Sequence, residues 1–298
     1  MFRRIGVFLL LNIAVIFTIS VILRLFNVQP YLTQHGLDYQ SLLIFCLIWG
    51  MGGAFISLAL SRKMAKWSMK IKIVHPRSSN PQEEKLYNTV KQLAQKAKLK
   101  AIPEVGIFPS PQLNAFATGP TQKRSLVAVS SGLLQHMDDD ELEGVLAHEI
   151  AHIANGDMVT MTLLQGVINA FVMFLARVLA FALSAASRSD SRRSVSGSYF
   201  MLVILFQFVF MILGSMVVCA YSRFREYRAD RGGAKFSTKK NMIDALRHLQ
   251  ATQESKPLTS EAMQAFMIKT PPKSGILRLF ATHPPLEDRI EALQDLAK

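Results

Sequence analysis

Cysteine is scarce in this chain, with only Cys46 and Cys219 among 298 residues. Two thiols exclude a disulfide framework and a four-cysteine zinc module. Both lie inside apolar runs, where a free Cys behaves as a small hydrophobe. Charge is scarce too: charged residues make up 18% of the chain, whereas an ordinary soluble domain has about a quarter. Acids are the scarcer sign, at 21 against 34 Lys and Arg. The shortage is uneven, which excludes a disordered chain and argues against a uniformly soluble globule. The net charge of +13 comes with no nucleic-acid-binding motif, so its placement has to explain it.

Half of the residues are hydrophobic, and many of them fall in four runs: Ile5–Leu23, Ser41–Leu60, Met158–Ala186 and Tyr199–Tyr221. A helix of about 20 residues crosses a hydrocarbon core of about 30 Å. The first run is too long for a signal peptide, and no small-residue cleavage site precedes Arg24, so a retained anchor is expected. Arg177 alone interrupts the third run, and it either snorkels or faces protein. Arg3 and Arg4 precede the first run, Arg62, Lys63, Lys66, Lys70 and Lys72 follow the second, and Arg223, Arg225, Arg228 and Arg231 follow the fourth. The positive-inside rule then puts both termini and residues 61–157 in the cytoplasm. The Ser-rich linker 187–198 opposes this with Arg188, Arg192 and Arg193. Either the stronger flanks prevail, or the last two runs form a hairpin that enters without fully crossing.

About 200 residues remain, enough for one compact domain split by the second hairpin. The expected organisation is an N-terminal transmembrane hairpin at 1–60, a first catalytic part at 61–157, a second hairpin at 158–221 and a second catalytic part at 222–298. Lys70–Val74, Val105–Phe108, Leu113–Thr118 and Ser125–Ser130 read as short strands. Asn80-Pro81-Gln82-Glu83 opens a helix to about Lys98, and Asp138 and Asp139 cap another beginning near Asp140. Further helices are expected over Arg223–Gly232, Ser237–Thr252, Thr259–Met267 and Pro285–Ala297.

His148-Glu149-Ile150-Ala151-His152 sits inside the helix capped by Asp138. Histidines at i and i+4 share a helical face and can reach one cation. Glu149 follows the first of them, where its carboxylate can reach a metal-activated water whose pKa falls towards about 7. A third ligand is needed, and Glu226 in Arg225-Glu226-Tyr227-Arg228-Ala229-Asp230 is the candidate. Asp230, one turn on, can accept from the free ring nitrogen of a ligand histidine. The bland alternative is a solvated helix whose acids pair with neighbouring arginines.

His148-Glu-Ile-Ala-His152-Ile-Ala-Asn-Gly-Asp157, Glu226-x-x-x-Asp230 and Asn114-Ala-Phe-Ala-Thr-Gly119 together resemble the HtpX family of membrane metallopeptidases, relatives of the Ste24 prenyl-protein peptidases. The resemblance spans nearly the whole chain. It implies an α+β, mostly α, multi-pass membrane protein: four apolar helices and a cytoplasmic zincin-like catalytic domain with a small sheet. It implies one zinc per chain, bound by His148, His152 and Glu226, with Glu149 as general base and acid. A bacterial inner-membrane location, action on damaged, unfolded or misassembled membrane proteins under stress, and self-cleavage also follow from it. The linker 187–198 is outside the matching motifs.

Two more segments acquire roles from the resemblance. Asn114, Ala115 and Phe116 can form an edge strand that binds extended substrate by strand addition, with Asn114 holding the substrate backbone; an ordinary turn with a local Asx bond is the alternative. Thr282-His283-Pro284-Pro285-Leu286-Glu287-Asp288-Arg289 matches a C-terminal family motif. His283 or Arg289 can stabilise the oxyanion, or else the segment is a Pro-marked helix start with Arg289 in a structural ion pair. His152 and Glu226 each lie close to an apolar run, which puts the metal roughly 10 Å from the bilayer interface. The rivals are a membrane scaffold tied by zinc, with His283 as fourth ligand, and a transporter resting on Arg177. The expected partners are protein substrates and the lipid bilayer, not nucleic acid.

Overall fold

The computed structural model describes residues 32–33, 36–186, 195–255 and 275–296. Beyond a minimal hairpin at Leu32–Thr33 and Gly36–Leu37, the order is α1 (Tyr39–Ser68), β1 (Lys72–Ile73), α2 (Pro81–Lys96), β2 (Glu104–Phe108), β3 (Ala115–Thr121) and β4 (Arg124–Ser130). Then come α3 (Ser131–His136), α4 (Asp139–Asn155), α5 (Asp157–Ala186), α6 (Val195–Phe236), α7 (Lys239–Ser255), a 3-10 turn at Ile276–Phe280 and α8 (Leu286–Gln294). The chain is mostly helical with one small mixed sheet. Three helices among the described residues, α1, α5 and α6, are long and apolar enough to cross a membrane. The first expected run, Ile5–Leu23, the expected helix Thr259–Met267 and most of the linker 187–198 lie outside the described residues.

Contacts divide the described residues into two units, one drawn from within 1–54 and 164–215, the other from within 55–163 and 216–298. Within the first, Leu42, Phe45 and Cys46 pack on Ala170 and Met173. Arg177 is buried there, its guanidinium 5.5 Å from the Phe45 ring centroid and its Nη1 donating to the Met173 carbonyl. It faces protein and does not snorkel.

The second unit holds the sheet, in the order β1-β2-β4-β3. β2 and β4 are parallel, and β3 runs antiparallel to β4 with Ala115 opposite Val129 and Phe116 opposite Ala128. β3 is therefore an edge strand. Its side chains alternate between faces, as the pleat requires: Ala115 joins the main core, and Phe116 packs tilted against Phe108 with ring centroids 5.7 Å apart. The main core buries Leu86, Val90 and Leu93 of α2, Val127 and Val129 of β4, Leu146, Ile150 and Ile153 of α4, and Met242 and Leu246 of α7. The motif helix is thus enclosed on several sides.

Local signals explain its ends. Asp138 accepts from the Glu141 N–H while the Glu141 side chain accepts from the Asp138 N–H, a reciprocal capping box. Gly156, at φ 70°, closes α4 in the left-handed region, and α5 starts at once with Asp157. One expectation is corrected. No new helix begins at Arg223: α6 runs unbroken for 42 residues from the apolar run through Glu226 and Asp230 to Phe236. The shift from apolar to charged side chains contains no Gly, Pro or capping residue that would stop a helix before Gly232.

Candidate metal centre

α4 presents His148 and His152 one turn apart, their rings edge to face with centroids 4.6 Å apart. The two Nε2 atoms are 3.1 Å apart. α6 passes close enough to add Glu226, with Oε1 at 3.3 Å from His152 Nε2 and Oε2 at 3.5 Å from His148 Nε2. Glycine makes the approach possible. A Cβ at Gly233 would stand 2.6 Å from Met242 Sδ and 3.1 Å from the His148 backbone nitrogen.

His148, His152 and Glu226 are all buried and can direct one ligand atom each to a point, all three within 4.8 Å of one another. Glu149 is buried beside them. Three carboxylates, Asp157, Glu226 and Asp230, stand against the two imidazoles; Arg228 bonds to Asp157, Arg289 to Asp230, and Arg225 pairs with Glu226. Buried carboxylates on both imidazoles make a setting that suits a cation. Glu226 Oε1, buried without a hydrogen-bond partner, fits the same conclusion. Burial opposes a charge on His148, but hydrogen bonds to Asp230 and Glu226 outweigh it and push its pKa up to about 10. His152 is likewise raised against its burial, through Asp157 and Glu226. This acidic surround favours any positive charge between the rings, and a metal can replace the protons.

The other expected residues fall into two groups. His283 lies at the site, its Nδ1 donating to Glu226 Oε2 at 2.9 Å, and its side chain is 25% exposed. Asn114 is buried before β3, held by its N–H donating to Ser130 Oγ and its carbonyl accepting from the Ser130 N–H, while its Oδ1 has no hydrogen-bond partner. Phe116 lies on the expected edge strand, and Arg289 takes the second of its two readings, the ion pair. Arg289 is 1% exposed and grips Asp230 with Nε at 2.8 Å and Nη2 at 2.6 Å, so it offers no surface to a substrate. The side chains of Ala115 and Phe116 are committed to packing, which leaves the backbone of β3 as the edge's binding element.

A model of peptidase family M48 matches residues 80–297. The chain belongs to peptidase family M48. It is 46% identical to a protease HtpX homolog of Methylacidiphilum infernorum, over 99% of each chain. It is 48% identical to a protease HtpX homolog of Bacillus subtilis, again over 99% of each. Protease HtpX of Alcanivorax borkumensis is 46% identical over 98% of both chains. The crystal structure of Ste24p from S. mikatae shares the fold, with a TM-score of 0.57 and 19% identity; the match covers 84% of this M48 chain and 58% of that one. With three long apolar helices among the described residues and a buried group that can hold a metal, this M48 chain is a membrane metallopeptidase.

Sequence reasoning missed two contributors. Asp157 was visible only as part of a motif, and it turns out to accept from His152 Nδ1 at 2.6 Å. Arg228, read as an orientation charge, pairs with the other oxygen of Asp157. An acid five residues after the second histidine, just past a helix-ending glycine, was the available signal.

Proposed function

We propose that this chain is a zinc endopeptidase of the bacterial inner membrane, multi-pass, with both termini and its catalytic residues on the cytoplasmic side. Its substrates are damaged or misassembled membrane proteins, cut where their segments emerge from the bilayer. The convergence of three buried ligand atoms beside Glu149 carries this reading. Two imidazoles and one carboxylate suit zinc, and a site with three protein ligands keeps a position open for water. The basic clusters after α1 and along α6 support the orientation.

His148, His152 and Glu226 would hold one zinc, which when bound supplies Lewis acidity to the scissile carbonyl and to the attacking water. Glu149 takes the proton from that water and passes it to the leaving amine. A substrate strand lies along the backbone of β3, and the Asn114 amide oxygen accepts from its backbone. His283, anchored to Glu226 through Nδ1–H, donates its Nε2–H to the developing oxyanion. Arg289 acts away from the substrate by holding Asp230, which in turn holds His148.

The ligand set is tested by replacing His148, His152 and Glu226 singly with Ala in the detergent-purified chain. Each variant should lose bound zinc and cleavage of an unfolded substrate together. Retention of stoichiometric zinc in all three overturns the assignment.

A further inference from the structure

Each candidate ligand histidine is backed by an aspartate, and each aspartate by an arginine. His148 Nδ1 is 2.9 Å from Asp230 Oδ1, and Asp230 is gripped by Arg289 of α8. His152 Nδ1 donates to Asp157 Oδ2 at 2.6 Å, and Asp157 Oδ1 accepts from Arg228 Nη2 of α6. We propose that Asp157 and Arg228 are a positioning pair for His152, fixing its tautomer and ring direction towards the cation. This rests on the reading of His152 as a metal ligand and adds to it two residues that the reaction itself does not need.

The argument starts from the backbone. Gly156 ends α4 at φ 70° and α5 begins in the next residue, so Asp157 is folded back against the ring of His152. Asp157 is fully buried, and each of its oxygens takes one strong bond. An anion enclosed without a countercharge is costly, and Arg228 provides that charge. With Asp157 kept anionic, Nδ1 of His152 carries the proton and Nε2 keeps its lone pair. Nε2 is the nitrogen that faces His148 and Glu226, at 3.1 and 3.3 Å. An anionic acceptor behind an imidazole also raises its basicity as a ligand.

Arg228 stands two residues beyond Glu226 on the same helix. A single rod therefore supplies the third ligand and the brace for the second. The two pairs differ in exposure: Arg289 is 1% exposed and Arg228 is 38%. Arg228 can thus be changed with less damage to the fold, which makes it the better test position.

The test uses the full chain in detergent, carrying Glu149→Gln throughout so that self-cleavage cannot intrude. Zinc affinity is measured against chelators of graded strength, the absorption spectrum is recorded with cobalt in place of zinc, and thermal unfolding is followed in the metal-free protein. Asp157→Asn should weaken zinc binding by about 10- to 100-fold. Arg228→Gln should weaken it less, with a shifted cobalt spectrum, and Arg228→Lys should recover part of the loss. Metal-free unfolding of the Arg228 variants should change little, which separates positioning from bulk stability. Wild-type zinc affinity in Arg228→Gln, or Arg228→Lys no better than Arg228→Gln, overturns the proposal. If Asp157→Asn does not fold, the Arg228 variants decide by the same criteria. His152→Ala in the same assay keeps the two readings apart. Tight zinc binding in His152→Ala defeats the ligand assignment. Zinc loss there, with normal affinity in Asp157→Asn and Arg228→Gln, defeats the positioning pair alone.

Discussion

Glu226 Oε1 lies 3.3 Å from His152 Nε2, although one residue sits inside a 42-residue helix that contains an apolar run and the other on a capped helix of the main core. Its other oxygen faces His148. One carboxylate thus closes the site from a helix that also carries a candidate membrane span. The metal centre depends on how closely α6 passes α4, and that contact can be tested directly.

Two glycines permit the approach, Gly232 against Ala151 and Gly233 against the His148 backbone. Gly233→Val places branched carbon against Met242 and the His148 backbone. Overpacking of this kind costs about 1–3 kcal/mol, and here it also pushes Glu226 away from the histidines. Thermal unfolding should shift downwards and zinc content should fall with it. Unchanged zinc content and unfolding would show that α6 and α4 tolerate a wider spacing.

Arg289 neutralises Asp230 in a fully buried setting. Removing one partner of such a pair costs about 3–5 kcal/mol. Denaturant unfolding of Arg289→Met should show that loss, and Arg289→Met combined with Asp230→Asn should recover part of it. Native stability with only a raised KM would instead assign Arg289 to the substrate.

Asn114 has a buried amide oxygen with no hydrogen-bond partner. If it holds substrate backbone, Asn114→Ala lowers kcat/KM on an unfolded peptide by about tenfold, the worth of one hydrogen bond at ~1.5 kcal/mol. Zinc content should not change. A loss of zinc, or no change in kcat/KM, would point to a local role.

Glu83 ties α2 to β1. Lys72 Nζ and Ser78 Oγ donate to it at 2.5 and 2.7 Å, and these bonds, Lys72 first, hold its carboxyl below the ordinary 4.5. A depressed carboxyl pKa adds stability above the unfolded value and loses it as pH falls through the folded one. The gap in unfolding temperature between the parent and Glu83→Gln should therefore be full at neutral pH and shrink below pH 4.5. A gap independent of pH contradicts this.

Much of the site was legible because its signals are local. The His148–His152 spacing needs only a helix, and Asp138 with Glu141 announces one. The strands between Pro and Gly were visible for the same reason, within three residues at their ends. What escaped was set by contacts between distant segments. Composition changes sharply near Tyr221, and a boundary was read there, but a helix responds to backbone geometry and α6 continues. Arg228 looked like one of several orientation charges until Asp157 was seen beside it. Arg289 had two readings, and only its burial separates them. Gly233 carries no motif at all, and its meaning is the backbone it lets approach.

The central claim is that Glu149 moves the proton in peptide hydrolysis at a metal held by its neighbours. The most direct measurement compares the purified parent with Glu149→Gln for zinc content and for cleavage of an unfolded substrate, with and without chelator. The account predicts one zinc in both proteins, with cleavage reduced by about 10²–10⁴-fold in Glu149→Gln. Chelator should abolish cleavage by the parent, and added zinc should restore it. Parent-like cleavage by Glu149→Gln, or cleavage that survives metal removal, would contradict it.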